Sequence, residues 1–320
     1  MTRLLFAFVV LGLGWRTWLR RRRHGPLRPG WSWLQETIVA GMRYNGERLM
    51  SLSPVAARRR LEELALPASR KVAIETFTIG KTRAQWLTRK GFTDDTTILY
   101  FHGGGFVLSS VDGYRELFAR IALTCKARVL AIDYRLAPES PFPAAAEDCL
   151  AAYRWALANG VDPKRMLLAG DSSGGGLAVT TLVAARDAGD GLPRGAILLS
   201  PWVDLEAGHA SVTANAAFDW GDRDYLSHWS AQYLNGADPR DPRASPLYAD
   251  FAGLPPLLVQ VGTAELLYDE VAAFADKARA EGVEVIFEPW PEMVHGWTML
   301  NDFFPQAQEA LEAIARFCAS

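Results

Sequence analysis

A serine set among small residues offers the sharpest chemistry in this chain. Gly170-Asp171-Ser172-Ser173-Gly174 fits G-x-S-x-G with Ser172 at its centre. That pattern belongs to a tight strand-to-helix turn, where a strained backbone packs closely on its neighbours and lifts a nucleophilic hydroxyl into the open. Ser173 rivals Ser172 by residue type, but its backbone N–H follows the nucleophile and suits an oxyanion donor. A second motif, His102-Gly103-Gly104-Gly105-Phe106, follows a β-branched and aromatic run. Glycines let the backbone come close to a ligand and turn N–H groups inward, and a tetrahedral intermediate needs such donors aimed at its charged oxygen.

A serine nucleophile needs a base, and the base needs an orienting acid. The five histidines are His24, His102, His209, His228 and His295. His24 sits in a basic stretch, and His209 and His228 fall in a segment outside the main pattern. His102 suits support of the glycine loop better than proton transfer. His295, in Pro291-Glu292-Met293-Val294-His295-Gly296-Trp297, lies between the last strand-like and the last helix-like segment. Glu265 is the favoured acid because it stands nearest the end of the strand-like Leu257–Val261, and Asp269 comes next. Asp269 and Glu270 suit the first turn of the following helix, where carboxylates complement the dipole. The order Ser, acid, His is that of one hydrolase architecture. Phe106, Trp202, Phe218 and Trp297 are candidate walls of an apolar substrate pocket.

These residues need a scaffold. Val72–Ile79 and Ala84–Thr88 suggest an antiparallel start. Strand-like segments at 96–101, 128–133, 165–169, 196–200, 257–261 and 283–288 then alternate with helical ones. Such alternation predicts an α/β fold, with a mostly parallel sheet covered on both faces. Its ligand site lies beyond the carboxyl ends of the strands, where Gly103, Ser172, Glu265 and His295 all fall. Residues 206–236 break the alternation and read as a helical insertion. Residues 26–66 carry apolar positions at helical spacing. Together the two suggest a lid. The expected division is an N-terminal segment 1–25, cap helices 26–70 and a catalytic unit 71–320.

The chain has 320 residues, is 49% hydrophobic and carries a formal charge of −2. That balance argues against a nucleic-acid partner. No Cys or His cluster suggests a metal, and Cys125, Cys149 and Cys318 read as free thiols of a reducing compartment. Leu4–Gly14 is apolar but short of the about 20 residues that span a bilayer. Trp15, Trp18 and Arg20–Arg23 follow it. The segment reads as an amphipathic or disordered tail, with weak peripheral membrane attachment through residues 1–23 as the other reading.

The chain resembles the hormone-sensitive-lipase-like family of bacterial esterases within the α/β-hydrolase fold. The matching pieces are the two glycine motifs, Asp133-Tyr134-Arg135-Leu136-Ala137-Pro138-Glu139, Ser200-Pro201-Trp202-Val203-Asp204-Leu205, Glu265-Leu266-Leu267-Tyr268-Asp269-Glu270 and His295-Gly296. They appear in the family's order across about residues 72 to 318. The resemblance implies Ser172 as nucleophile, His295 as base, and Gly103, Gly104 and the Ser173 amide as the oxyanion hole. It also implies a helical cap, a structural role for 133–139, and short to medium acyl esters as small-molecule substrates. No cofactor is implied, and a homodimer is compatible with it. The expected location is cytoplasmic, peripheral to the membrane if residues 1–23 attach. Glu265 stands where the family often has Asp, Ser173 where many members have Ala, and Trp297 where many have Phe. Lactone or amide hydrolysis and non-catalytic binding on the same fold are the alternatives.

Overall fold

The computed structural model describes residues 2–91, 96–301 and 303–320, with side chains from Gly12 onward. Among these residues the strands are β1 (Val72–Ile79), β2 (Thr82–Arg89), β3 (Thr97–Phe101), β4 (Arg128–Ile132), β5 (Met166–Asp171), β6 (Gly195–Leu199), β7 (Leu257–Gly262) and β8 (Val285–Trp290). They form one sheet of order β1-β2-β4-β3-β5-β6-β7-β8. β2 runs antiparallel to β1 and β4, and every other pair is parallel. β3, β5, β6 and β7 are buried at every position, as expected of strands covered on both faces. β1 and β8, at the two edges, are mostly exposed or half-buried.

The helices are α1 (Thr2–His24), α2 (Trp33–Met50), α3 (Pro54–Leu64), α4 (Arg115–Thr124), α5 (Ala144–Ala158), α6 (Ser173–Ala188), α7 (Ala210–Ala214), α8 (Arg223–Leu234), α9 (Tyr268–Ala280) and α10 (Pro305–Ala319). α6 is buried from Ser173 through Leu182 and packs on β3, β5 and β6. The sheet therefore places the start of α6 at its centre. Local signals set the helix ends: Ser32 and Gln35 form a reciprocal capping box at α2, and Ser53 caps α3 ahead of Pro54.

The N-terminal segment is ordered against the rest of the fold. It is helical from Thr2 to His24 and docks on α2. Glu36, whose side chain is fully buried, accepts hydrogen bonds from Arg20 and Arg21 at 2.6 Å each and from the Leu27 amide at 2.9 Å. Trp33 donates its indole N–H to the Gly14 carbonyl. A buried carboxylate with several donors holds α1 in place, a long-range pairing that local sequence does not reveal. The apolar side chains of residues 1–11 lie outside the described residues. No helix among the described residues is long and apolar enough to cross a membrane. Cys125, Cys149 and Cys318 are free thiols.

Candidate active site

Ser172 sits between β5 and α6 with φ +53° and ψ −124°. This is a strained conformation for a residue with a Cβ. Backbone bonds brace it: its N–H donates to Leu199 O at 2.9 Å, and its carbonyl accepts from Trp202 N at 2.8 Å. The flanking glycines are required by contact. A Cβ on Gly170 would stand 2.3 Å from the Gly174 carbonyl oxygen, and one on Gly174 would stand 2.0 Å from that of Phe101.

Glu265 follows β7 and is fully buried. Its Oε1 accepts from Ser200 Oγ and from Gly262 N, both at 2.6 Å. Its Oε2 lies 2.9 Å from His295 Nδ1. Asp269 instead accepts the Ser211 amide at 2.7 Å in the insertion. Of the two candidate acids, the structure brings Glu265 to the imidazole. Burial alone would lower the pKa of His295. The hydrogen bond and charge of Glu265, with the charges of Asp219 and Asp171, outweigh it and raise the imidazole above its ordinary value. Ser172 and His295 line the same cavity. No hydrogen bond joins them among the described residues.

The glycine loop calls for a correction. The Gly103 N–H donates to Asp171 Oδ1 at 3.0 Å and to Tyr114 Oη at 3.1 Å. It is committed to the fold and cannot serve as the expected oxyanion donor. Gly104 and Gly105 line the cavity in its place. Gly104, at φ +124°, has no room for a Cβ, which would fall 2.4 Å from the Leu108 carbonyl oxygen. Ser173 opens α6, so its N–H has no partner within the helix. His102 is buried, stacks on Tyr134 with ring centres 4.4 Å apart, and has Nδ1 2.8 Å from the Gly103 carbonyl. Burial lowers its pKa. The 133–139 segment braces this loop from behind. Tyr134 Oη donates to His102 O at 2.7 Å, Asp133 accepts the Val111 amide at 2.7 Å, and Ala137 N donates to Phe106 O at 3.0 Å.

The cavity holds about 390 Å³ and lies between the strand ends and two covering segments. α2 and α3 contribute Met42, Leu49 and Leu61, and the insertion contributes Trp220, Leu226 and Trp229. Of the four expected wall aromatics, only Trp202 lines it. Phe106 is sandwiched in the core, stacked on Tyr233 with centroids 3.9 Å apart. Phe218 packs with Trp31, Val39, Ala264 and Val294, under the guanidinium of Arg28. Trp297 is buried against Met293 and Phe304. Each of these three side chains finds deeper packing than the pocket surface offers. Two contributors escape the sequence reading. Gly105 is visible as the third glycine of its motif. Asp219 gives only the weak signal of an acid set between Phe218 and Trp220. Among the described residues no group of His, Cys, Asp and Glu could hold a metal ion.

A strained serine, an imidazole held by a fully buried carboxylate, and two glycines lining the same cavity can carry out acyl transfer. Comparisons with known proteins agree. A family profile described as the alpha/beta hydrolase fold matches residues 98–299. An "Acetyl-hydrolase" of Streptomyces hygroscopicus is 44% identical over 247 residues, which cover 76% of this chain and 81% of that protein. An "Esterase" of Acinetobacter venetianus is 34% identical over 275 residues, covering 85% and 90%. A crystal structure of an esterase from the bacterial hormone-sensitive lipase family superposes with a TM-score of 0.85 at 40% identity, covering 90% of this chain and 98% of that one. With that likeness in sequence, fold and site, the chain belongs to the alpha/beta hydrolase fold family, as an esterase of the hormone-sensitive-lipase type.

Proposed function

We propose that this chain hydrolyses carboxylic esters of short to medium acyl length through an acyl-enzyme on Ser172. The observation that carries the reading is the contact at 2.9 Å between the buried Glu265 and His295, which lines the cavity with Ser172. Glu265 keeps the imidazole proton on Nδ1, leaving Nε2 free to accept the Ser172 proton as Oγ attacks the ester carbonyl. The N–H groups of Gly104, Gly105 and Ser173 receive the developing oxyanion, each worth on the order of 3 kcal/mol in the barrier. His295 returns the proton to the leaving alcohol. Water, activated by the same imidazole, then releases the acid and restores Ser172.

The preference for smaller acyl groups is supported by the cavity's 390 Å³. That lies near the lower end of the roughly 300–1,000 Å³ of small-molecule sites. It is supported further by the acetyl-hydrolase named among the relatives. The test is hydrolysis of p-nitrophenyl esters from acetate to palmitate by the wild type and Ser172→Ala. Turnover that peaks at short to medium chains and vanishes in the variant supports the reading. A folded wild type inactive on every ester refutes it, and points to a lactone, an amide or a bound, unreacted ligand.

A second observation favours weak attachment to an anionic membrane surface. Residues 1–24 hold six arginines and no carboxylate, and of these Arg20 and Arg21 pair with Glu36. Trp15 is 60% exposed and stacks on Trp18, over which the Arg22 guanidinium lies at 4.3 Å. Exposed tryptophan beside arginine suits the headgroup region. Co-sedimentation with phosphatidylglycerol vesicles but not with phosphatidylcholine vesicles is expected, and equal or no binding to both would rule it out.

A further inference from the structure

Asp219 belongs to the insertion over the strand ends, yet its carboxylate is buried among backbone amides of the site. Oδ2 accepts from Leu266 N at 2.9 Å, the amide directly after Glu265. Oδ1 accepts from His295 N at 3.1 Å and from Trp220 N at 2.8 Å. Trp220 then donates its indole N–H to the His295 carbonyl at 2.7 Å. Two consecutive residues of the insertion thus hold the backbone of the base at both its N–H and its C=O. Arg43 of α2 in turn donates to the Asp219 and Ala216 carbonyls, linking the insertion to the other half of the cover.

We propose that Asp219 is a positioning residue: one carboxylate, supplied by the cover, that fixes the loops of Glu265 and His295 relative to each other. This rests on the reading of His295 as base. A carboxylate accepting three amides forms charge-assisted bonds stronger than neutral ones. It also links the geometry of acid and base to the seating of the cover, because removing the insertion would release both loops at once.

The same charge acts on the imidazole. The groups facing His295 are Glu265, Asp219 and Asp171, and all three raise its pKa. Around Asp219 stand His295, Glu265, Tyr225 and Arg43. Burial pushes the Asp219 carboxyl up to about 6, with His295 opposing and Glu265 reinforcing that rise. As pH falls through that range Asp219 takes a proton and accepts amides less well. The clamp therefore weakens while His295 is also being protonated.

The experiment is the pH profile of kcat and kcat/KM for p-nitrophenyl butyrate, with wild type, Asp219→Asn and Trp220→Phe, each checked for folding by near-UV circular dichroism. Asp219→Asn keeps the shape and loses the charge. Its acid-limb midpoint in kcat/KM is expected to fall by about one pH unit, because an anion that raised the imidazole is gone. Its kcat is expected to fall about ten- to a hundredfold from misplacement of the base. Trp220→Phe, with no change in charge, should lose kcat and leave the midpoint where it was. In the wild type the acid limb should fall more steeply than one decade per pH unit below pH about 6, because two groups titrate together; this reading needs no variant to fold. An unmoved midpoint in folded Asp219→Asn, or a single-group limb in the wild type, would overturn the proposal. Ser172→Ala separates the two levels. If it stays active, the reading of the site fails; if it is dead while the Asp219→Asn midpoint stays put, only the clamp fails.

Discussion

Replacing Glu265 with Gln changes a single atom, and the surroundings dictate which way the amide must face. At the Oε1 position stand the Gly262 N–H and the Ser200 hydroxyl, both at 2.6 Å. The hydroxyl can rotate to accept, but the Gly262 N–H can only donate. An amide NH₂ placed there would oppose it at that distance. The Gln oxygen must therefore take the Oε1 position, which turns the NH₂ toward His295 Nδ1. Facing a donor, the imidazole shifts its proton to Nε2, the nitrogen that has to accept the Ser172 proton. A wrong tautomer of this kind costs about 10⁴-fold in kcat, or about 5.5 kcal/mol in the barrier. The assay is steady-state hydrolysis of p-nitrophenyl butyrate, with active-site concentration fixed by phosphonate titration. Glu265→Ala provides the comparison, because it removes the orienting group without imposing the wrong tautomer, and it should retain more activity than Glu265→Gln. A Glu265→Gln variant within tenfold of wild type would refute the orientation argument.

Other outcomes follow from the same geometry. The kcat/KM for an ester should rise with pH through a midpoint above 6.5, because the neutral imidazole is the active base and its surroundings raise its pKa; a midpoint below 6.5 in a pH–rate profile would contradict this. Gly174→Ala should lower stability by about 3 kcal/mol or more, given the 2.0 Å approach to the Phe101 carbonyl oxygen, and urea unfolding measures it. Glu36→Ala leaves Arg20 and Arg21 without their buried partner, at a cost of about 2 kcal/mol softened by the partial exposure of both arginines. It should speed tryptic cleavage at 20–23, and an unchanged cleavage rate would argue that α1 is held by other contacts.

Much of the framework is legible because its signals are local. Buried strands such as Gly195–Leu199, and Thr97–Phe101 after its first residue, read as continuous apolar runs, and the tight turn at Ser172 announces itself through its glycines. Where side chains point across the fold, legibility ends. The family resemblance implies Gly103 as an oxyanion donor, yet its amide is captured by Asp171, a residue 68 positions away. Phe106, Phe218 and Trp297 have the aromatic character of a pocket wall, which serves core packing equally well. The actual walls include Met42, Leu49 and Leu61, ordinary apolar positions of α2 and α3. Asp219 sits in the segment with the weakest periodicity, and its role exists only because the Glu265 and His295 loops meet there.

The central claim, that Ser172 carries the acyl group, is tested most directly by mapping the covalent adduct formed with diethyl p-nitrophenyl phosphate. Intact-mass and peptide analysis should find one diethylphosphoryl group, on Ser172, in an enzyme that has lost its esterase activity, and none on Ser172→Ala. Inactivation with the adduct on another residue, or Ser172→Ala still turning over ester, would contradict the account.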